Sequence, residues 1–179
     1  MGVEALQIPM FGLYGACSTS GEALALASMS AAAGYGGTMI AVTSSHFGSA
    51  EKEFRFPLGY ANQRPLSSHW TVTGSGAFLV QSAEEYRKQN TKSYFSNIRI
   101  TGVTVGKIVD YGLKDSQNMG ACMAPAAMDT IVQNFQDMER KEKDYDRIIT
   151  GDLGSIGRTI LFDLIREKGY DICEKHMDC

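Results

Sequence analysis

The pattern of apolar and polar positions predicts a strand, a helix and a second strand at the start of the chain. Residues 9–13 are apolar enough for a buried strand, and residues 18–33 form a run of small residues typical of a helix that is apolar nearly all round and therefore buried. The continuous apolar run at residues 38–43 is typical of a strand covered on both faces. This order predicts a β-α-β unit of the parallel-sheet type.

A similar pattern returns later in the chain. Residues 70–80 predict a strand with a bend at Gly74 and Gly76, residues 82–90 a short surface helix, and residues 98–105 a further strand. A polar segment at residues 81–97 divides the chain into two parts, each of which combines predicted strands and helices. We therefore predict that residues 1–80 and 98–179 belong to two α/β halves joined by this segment.

The second half predicts its own strand, glycine turn and helix. Helical spacing runs over residues 118–138, with Pro125 expected in the first turn of that helix. The run at residues 147–154 reads as a strand and a glycine-containing turn, and residues 156–168 as a helix ended by Gly169. Residues 170–173 are expected to form a strand that enters the core.

Composition and charge exclude several classes of function. The chain has 179 residues, of which 44% are hydrophobic and 21% charged, as in ordinary globular proteins. Its formal net charge is −3 and its basic residues are dispersed, so no polybasic surface for nucleic acid or anionic lipid is expected. No apolar run approaches the ~20 residues that cross a bilayer, and the start lacks the pattern of a signal peptide. We expect a soluble protein that is not exported.

The four cysteines predict reduced thiols rather than a disulfide framework. They stand at positions 17, 122, 173 and 179, without paired spacing. Cys173, His176 and Cys179 have the spacing of three zinc ligands, but a structural zinc site normally has four and no fourth is evident nearby. No resident metal is therefore predicted.

The most informative residue is Cys17, which lies where the first predicted strand meets the first predicted helix. Gly12 and Gly15 permit close approach of the backbone, and Ser18 begins a run of hydroxyl residues that suits a helix start. A helix N-terminus carries positive partial charge, which favours either a thiolate nucleophile or a bound anion. A buried structural cysteine is the third interpretation of the same residue.

Several long motifs, in the same order, resemble the stage V sporulation protein AD family of spore-forming Firmicutes. The runs that carry the resemblance are Gly15-Ala-Cys-Ser-Thr19, Ala41-Val-Thr-Ser-Ser-His-Phe47, Asn62-Gln-Arg-Pro65, Trp70-Thr-Val-Thr-Gly-Ser-Gly76, Asp110-Tyr-Gly112, Asn118-Met-Gly-Ala-Cys-Met-Ala-Pro125, Ile149-Thr-Gly-Asp-Leu-Gly154 and His176-Met-Asp-Cys179. Members of that family are roughly twice as long. The resemblance therefore implies a central fragment.

The resemblance implies an α/β, thiolase-like fold with two similar halves, mixed sheets and buried helices, both halves being incomplete here. In that fold Cys17 matches the thiolase nucleophile. Ketoacyl synthases carry a histidine motif at the place where this chain has Thr150-Gly-Asp-Leu-Gly154, so the usual catalytic histidine is absent. His46 or His69 would have to replace it. An active enzyme is therefore not the first expectation, although an acyltransferase of the thiolase or ketoacyl-synthase type that uses Cys17 stays open as the alternative.

The family is associated with uptake of dipicolinic acid into the developing spore, which implies a non-catalytic binder of that acid or of its calcium chelate. Calcium is the only cofactor considered, and only as part of the ligand. A flat aromatic dianion suits hydroxyl groups, backbone amides and arginines. The candidate binding residues are Cys17, Ser18, Thr19, Thr43, Ser44, Ser45, His46, Arg55, Arg64 and Ser75.

The resemblance also implies partners and a location. The expected partners are other stage V sporulation A membrane proteins and a second copy in a homodimer, with no nucleic acid. The expected place is the cytoplasmic side of the inner spore membrane in the forespore, with peripheral association. On this interpretation Cys17 marks a binding site inherited from catalysts, and its sulfur forms part of the pocket wall.

Overall fold

A computed structural model describes residues 4–46, 48, 66–69, 73–89 and 98–178. The chain forms two compact units, one of residues 1–43 and 76–94 and the other of residues 44–75 and 95–179. The described part is mixed α/β, with four α-helices and two small sheets. The division predicted from sequence, into residues 1–80 and 98–179, stays a prediction.

In the first unit, helix α1 spans Thr19–Ala32 and buries one stripe of alanines, Ala23, Ala27 and Ala31. Their spacing of four residues places them on one helix face. The helix ends in a Schellman motif, because Gly34 has a φ of 79° and the amide of Tyr35 donates to the carbonyl of Ser30 at 3.1 Å. Only one face is buried, so the expectation of a helix buried all round was wrong.

Strands β1 (Thr38–Ser44) and β2 (Ser75–Gln81) form a two-stranded sheet. The amide of Ser45 donates to Gly74 at one end of the pair, and the amide of Ser82 donates to Gly37 at the other. Each bond joins the start of one strand to the end of the other, so the strands run antiparallel. Residues 8–15 contain no strand, and the predicted parallel β-α-β unit is therefore wrong.

One face of the sheet in the first unit packs against α1, and the other face is exposed to solvent. Ala41 is 2% exposed and packs in a cluster with Ala23 and Ala27. On the opposite face Ile40 and Val42 are 55% and 60% exposed. Because β1 is covered on one side only, the sequence prediction of a doubly covered strand was wrong. The short surface helix was correctly predicted, and it forms α2 (Ala83–Gln89).

The second unit is built around two packed helices, α3 (Met119–Asp137) and α4 (Gly154–Glu167). Strand β3 (Ile148–Thr150) pairs in parallel with β4 (His176–Asp178). Beside these helices the strands complete one core, whose buried residues are Ala124, Met128, Phe135, Ile148, Leu153, Leu161, Ile165 and Ile172. The predicted strand, glycine turn and helix at residues 147–168 are confirmed.

The start of α3 shows how the sequence sets a helix boundary. The side chain of Asn118 accepts a hydrogen bond from the amide of Ala121 at 3.2 Å and so caps the helix. Pro125 lies in the second turn rather than the first, and it is buried. Its missing amide removes one helical hydrogen bond there, which the surrounding core contacts must offset.

Two glycines let α3 and α4 approach each other closely. A Cβ at Gly120 would meet the Leu153 carbonyl and would lie 3.0 Å from the Cα of Gly157. A Cβ at Gly157 would in turn lie 2.7 Å from the Cα of Gly120. The obstacles are backbone atoms, which cannot swing aside as a flexible side chain can.

Two further strand predictions were wrong. Residues 98–105 and 170–173 form no strand, and the strand near the end of the described chain is β4, a few residues later than expected. The alternating apolar residues of the first segment are largely exposed, with Ile98 at 87% and Val105 at 74%. Among the described residues, no helix is both long and apolar enough to cross a membrane.

Candidate functional site

The Cys17 elbow of the first unit is a single 3-10 turn, Ala16–Ser18, that leads directly into α1. Cys17 is exposed, so the interpretation as a buried structural cysteine was wrong. The residue before it, Ala16, has a φ of 50°. Left-handed backbone is costly for a residue with a Cβ, and such strain clusters at sites where a side chain must be presented in one direction.

Hydroxyl groups brace the elbow rather than cap α1. The amide of Gly15 donates to Thr19 Oγ1 at 3.0 Å. Ser18 Oγ lies 2.6 Å from the Gly15 carbonyl and 2.9 Å from Glu22 Oε1, so one hydroxyl proton is shared between two acceptors. Ser18 occupies the cap position without a side-chain hydrogen bond to a helix amide. Its predicted capping role is therefore wrong.

Glu22 is a member of this site that the sequence reasoning missed. Its carboxylate lies against Gly15, where an added Cβ would collide with it. A carboxylate in the first turn is favoured by the helix dipole, and it makes the same position less favourable for a second anion. The spacing Thr19-x-x-Glu22, which resembles a capping box, is the sequence signal that points to it.

The second set of candidate residues lies at the open end of the β1–β2 pair. The amide of Ser45 donates to the Gly74 carbonyl at 2.9 Å, and the amide of Gly74 donates back to Ser45 Oγ at 3.1 Å. His46 Nδ1 accepts from the amide of Gly48 at 3.1 Å. Ser75 begins β2 and is exposed.

The remaining candidate binding residues are Ser44 and Thr43, which lie in β1, and two arginines. Ser44 ends β1 and is exposed, and Thr43 precedes it with its side chain half-buried on the other face. Arg55 and Arg64 lie outside the described residues. The structure thus groups Cys17, Ser18 and Thr19 within the first unit, and it groups four of the others, Ser44, Ser45, His46 and Ser75, within the second.

The second unit contains a polar turn, residues 150–154, that is held by a buried histidine. His69 is 3% exposed, and its Nδ1 lies 2.6 Å from the carbonyl oxygen of Asp152. A carbonyl oxygen can only accept, so Nδ1 must carry the proton of this bond. The other ring nitrogen, Nε2, is buried with no hydrogen-bond partner in the described structure.

Two carboxylates fix the same turn to the start of α4. The amide of Leu153 donates to Asp178 Oδ1 at 2.7 Å, and the amide of Gly154 donates to Asp152 Oδ1 at 2.9 Å. Both place negative charge at a helix N-terminus, where the dipole favours it. Gly154 has a φ of 64°, and a Cβ there would come within 2.8 Å of the Ser68 carbonyl, so this position requires glycine.

A second histidine contacts the turn from β4. His176 Nε2 lies 2.9 Å from Thr150 Oγ1, and the ring meets Phe162 edge-on with 5.3 Å between centroids. Burial is the main cause that lowers the pKa of His176 below its ordinary value of 6.5, and Arg158 acts in the same direction while Asp178 opposes it. The folded protein therefore favours the neutral ring.

This pKa shift predicts how stability depends on pH. Between the lowered folded value and 6.5, the unfolded chain binds more protons at His176, so this contribution to stability is complete above pH 6.5 and falls as the pH drops below it. We expect urea unfolding to show a smaller loss between pH 7.5 and pH 5.5 for His176→Gln than for the unchanged protein. An equal loss in both proteins would contradict the prediction.

The described residues do not test the zinc-ligand spacing of Cys173, His176 and Cys179, because they include only two of the three. No three His, Cys, Asp or Glu side chains are grouped there as for a metal ion. Arg166 Nη2 donates to Cys173 Sγ at 3.0 Å, but burial raises the pKa of this thiol, and the neighbouring Asp171 adds to the effect. Cys179 lies outside the described residues.

At the polar turn, the sequence reasoning missed the contacts of His69 and Asp178. Both contact the polar turn, and Asp178 lies in the run His176-Met-Asp-Cys179, which carries part of the resemblance. His69 precedes Trp70 in a long polar segment, where no periodicity marks it as buried. The only signal was that a long loop within a compact domain is often functional.

Comparison with known proteins decides the family. A family model of stage V sporulation protein AD matches residues 1–179. The chain belongs to the stage V sporulation protein AD family. It is 44% identical over 174 residues to the stage V sporulation protein AD of Bacillus subtilis (strain 168). The match covers 97% of this chain and 48% of that relative, so the chain spans about half the length of the curated protein. Membership in this family is consistent with a role in sporulation.

Proposed function

We propose that this member of the family binds dipicolinic acid, free or as its calcium chelate, without catalysis, for uptake into the developing spore. The observation that carries the proposal is the turn at residues 150–154. At the place where the resembling synthases have a catalytic histidine, the carbonyl of Asp152 contacts His69, and its carboxylate accepts a hydrogen bond from the amide of Gly154 at the start of α4. Those groups hold the turn together, which suits a binding site better than a proton-transfer site.

The chemistry of the ligand fits the candidate residues. Dipicolinate is flat, with two carboxylates that need hydrogen-bond donors and a ring that needs apolar walls. Exposed hydroxyls at Ser44 and Ser75 supply donors, and Arg55 and Arg64 supply guanidinium groups suited to carboxylates. Because Glu22 already occupies the start of α1, we expect arginines and hydroxyls, rather than the α1 amides, to carry most of the ligand's charge.

Calorimetric titration with dipicolinate, with and without calcium, tests this proposal. We expect saturable binding, and we expect Arg64→Ala to weaken it about tenfold or more, because one charge-assisted hydrogen-bond pair is lost. Lys88→Ala is the matched control, since Lys88 is an exposed residue of α2 paired with Glu84. Isophthalate, which has the two carboxylates but no ring nitrogen, should bind more weakly. Absence of heat at millimolar ligand would overturn the proposal.

The wider role follows from the same proposal. The protein would act beside other stage V sporulation A membrane proteins, as a homodimer that associates peripherally with the inner spore membrane on its cytoplasmic side. Calcium would enter only as part of the ligand.

One observation favours an acyltransferase as the second candidate: Cys17 is exposed directly after the strained Ala16. Iodoacetamide labelling at pH 6.5 separates the two functions, and Cys122, also exposed, is a reference thiol in the same molecule. A binding protein predicts comparable labelling of the two thiols. Labelling of Cys17 more than about tenfold faster, together with an acyl adduct from acyl-CoA, would favour the enzyme.

A further inference from the structure

We propose that residues 99–107 of the second unit are a docking edge for a β-strand, supplied by the part of a full-length family protein that this chain does not span. Residues 98–105 carry the alternation that predicts a strand, yet the described structure gives them no strand partner. Among the described residues, no backbone group of residues 99–107 is hydrogen-bonded to another backbone group. Unpaired backbone of this kind offers the donors and acceptors that an added strand uses.

Helix α3 holds this docking segment at the spacing of a β-strand. Every second residue of the segment lies against α3 or the residue that follows it: Gly102 against Met138, Thr104 against Asn134 and Gly106 against Thr130. Each step of two residues along the segment thus matches four residues of helix, which is about 6 Å. The segment therefore advances about 3 Å per residue, close to the rise of about 3.3 Å in a strand.

Two polar contacts keep the docking segment in place on α3. Asn134 Nδ2 donates to Thr104 Oγ1 at 2.8 Å, and Asn134 Oδ1 accepts from the hydroxyl of Tyr145 at 2.6 Å, so the orientation of this amide group is fixed. Lys107 Nζ lies 2.9 Å from Asp129 Oδ1. Because the segment is already ordered, a strand that pairs with it does not have to offset the entropy of ordering both partners.

Apolar side chains of the second unit also lack cover. Ile100 and Val105 are exposed in the docking segment. In the parallel pair of β3 and β4, Ile149 and Met177 are register partners, and both are exposed. Parallel sheets normally have both faces covered. The second unit therefore presents an unpaired strand edge together with an uncovered apolar sheet face, which is the surface that further strands and helices of one fold would bury.

The length of the family protein favours its own remaining part as the occupant. The relative from Bacillus subtilis is about twice as long as the region that matches this chain, so it has ample further chain to supply a strand. A strand within the same polypeptide also has a high effective concentration at the edge. The competing occupant is a second copy, which would pair through the same segment across a two-fold axis.

Hydrogen–deuterium exchange followed by mass spectrometry tests the proposal in the full-length relative. We expect the amides that match residues 99–107 to exchange about 100-fold more slowly there than in this chain. The helical amides of α3 are the internal reference, and if they are unprotected in this chain, the full-length relative decides alone. Dilution separates the two occupants, because protection by the same polypeptide is independent of concentration, whereas protection by a second copy is lost.

Proline variants of the full-length relative test the edge itself. Successive amides of a strand point to opposite edges, so proline at the positions that match Ile100 and Val105 removes one donor from each edge. We expect at least one variant to lower the thermal unfolding midpoint by about 5 °C or more. The control is proline at the position that matches Lys114, which is exposed and outside the helices and strands.

Three results would each overturn the proposal. The first is exchange of the docking segment that is as fast in the full-length relative as at unprotected amides. The second is protection that disappears on dilution, which would assign the edge to a second copy. The third is a pair of proline variants that unfold at the same temperature as the control.

Discussion

A Gly120→Ala substitution is expected to lower the thermal unfolding midpoint by about 5 °C or more, because overpacking of this kind costs about 1–3 kcal/mol. The added methyl group meets the Leu153 carbonyl and the backbone of Gly157, so α3 and α4 must move apart. Their separation would loosen the buried residues between them, among them Ala124 and Leu161. Differential scanning calorimetry or circular dichroism measures the midpoint.

Gly21→Ala is the matched control for this prediction. Gly21 lies in α1, and no atom stands within 4 Å of the position that its Cβ would take. The same chemical change should therefore stabilise the protein by about 0.5–1 kcal/mol through helix propensity alone. A Gly120→Ala protein that unfolds at or above the original temperature would show that the two helices are not in contact through this glycine pair.

The second large effect is expected at Asp178. Replacement by alanine removes the acceptor for the amide of Leu153, which is 2% exposed, and should cost about 1.5–3 kcal/mol of unfolding free energy, as for a hydrogen bond to a charged group. The loss also leaves Thr150 Oγ1 without one of its two neighbours. Urea unfolding followed by tryptophan fluorescence and circular dichroism gives the difference.

Asp178→Asn distinguishes the hydrogen bond from the charge. The amide oxygen of asparagine can still accept from Leu153, so most of the stability should remain, within about 1 kcal/mol. If the alanine and asparagine variants lose the same amount, the charge at the start of α4, and not the hydrogen bond, is what stabilises the turn. An unchanged alanine variant would show that the contact contributes nothing.

The helices were predicted best because their signals are local. The cap at Asn118 and the glycine that ends α1 act within a few residues of the helix boundary. The strand, glycine turn and helix at residues 147–168 were likewise predicted from the sequence. The position of Pro125 within α3 was misjudged, because the first apolar residue of a helix does not fix which turn a proline occupies.

Strands were predicted less well because a strand exists only through its partner. The apolar residues at 9–13 and 98–105 have the composition of strands, but the described structure gives them no neighbouring strand to pair with. Strand β1 was predicted, but the hydrogen bonds at the two ends of the pair show that it runs antiparallel to β2. An apolar run does not indicate whether the neighbouring strand is parallel or antiparallel.

The residues of the candidate site likewise differ in how well the sequence predicts them. Residues in short motifs, such as Cys17 at its elbow, could be recognised from the sequence. Glu22 was missed because its effect depends on where its carboxylate lies relative to Gly15. His69 and Asp152 are 83 residues apart in the sequence, and no local pattern predicts a hydrogen bond between them.

The sequence by itself determined the helices, the elbow, the glycine turn and the family of this protein, because each depends on residues that are neighbours in the chain. The tertiary structure alone decided that Cys17 is exposed, that β1 and β2 are antiparallel and that a buried histidine holds the turn before α4. Those features arise from burial and from pairing between distant segments, whose free energies depend on contacts that no local pattern encodes.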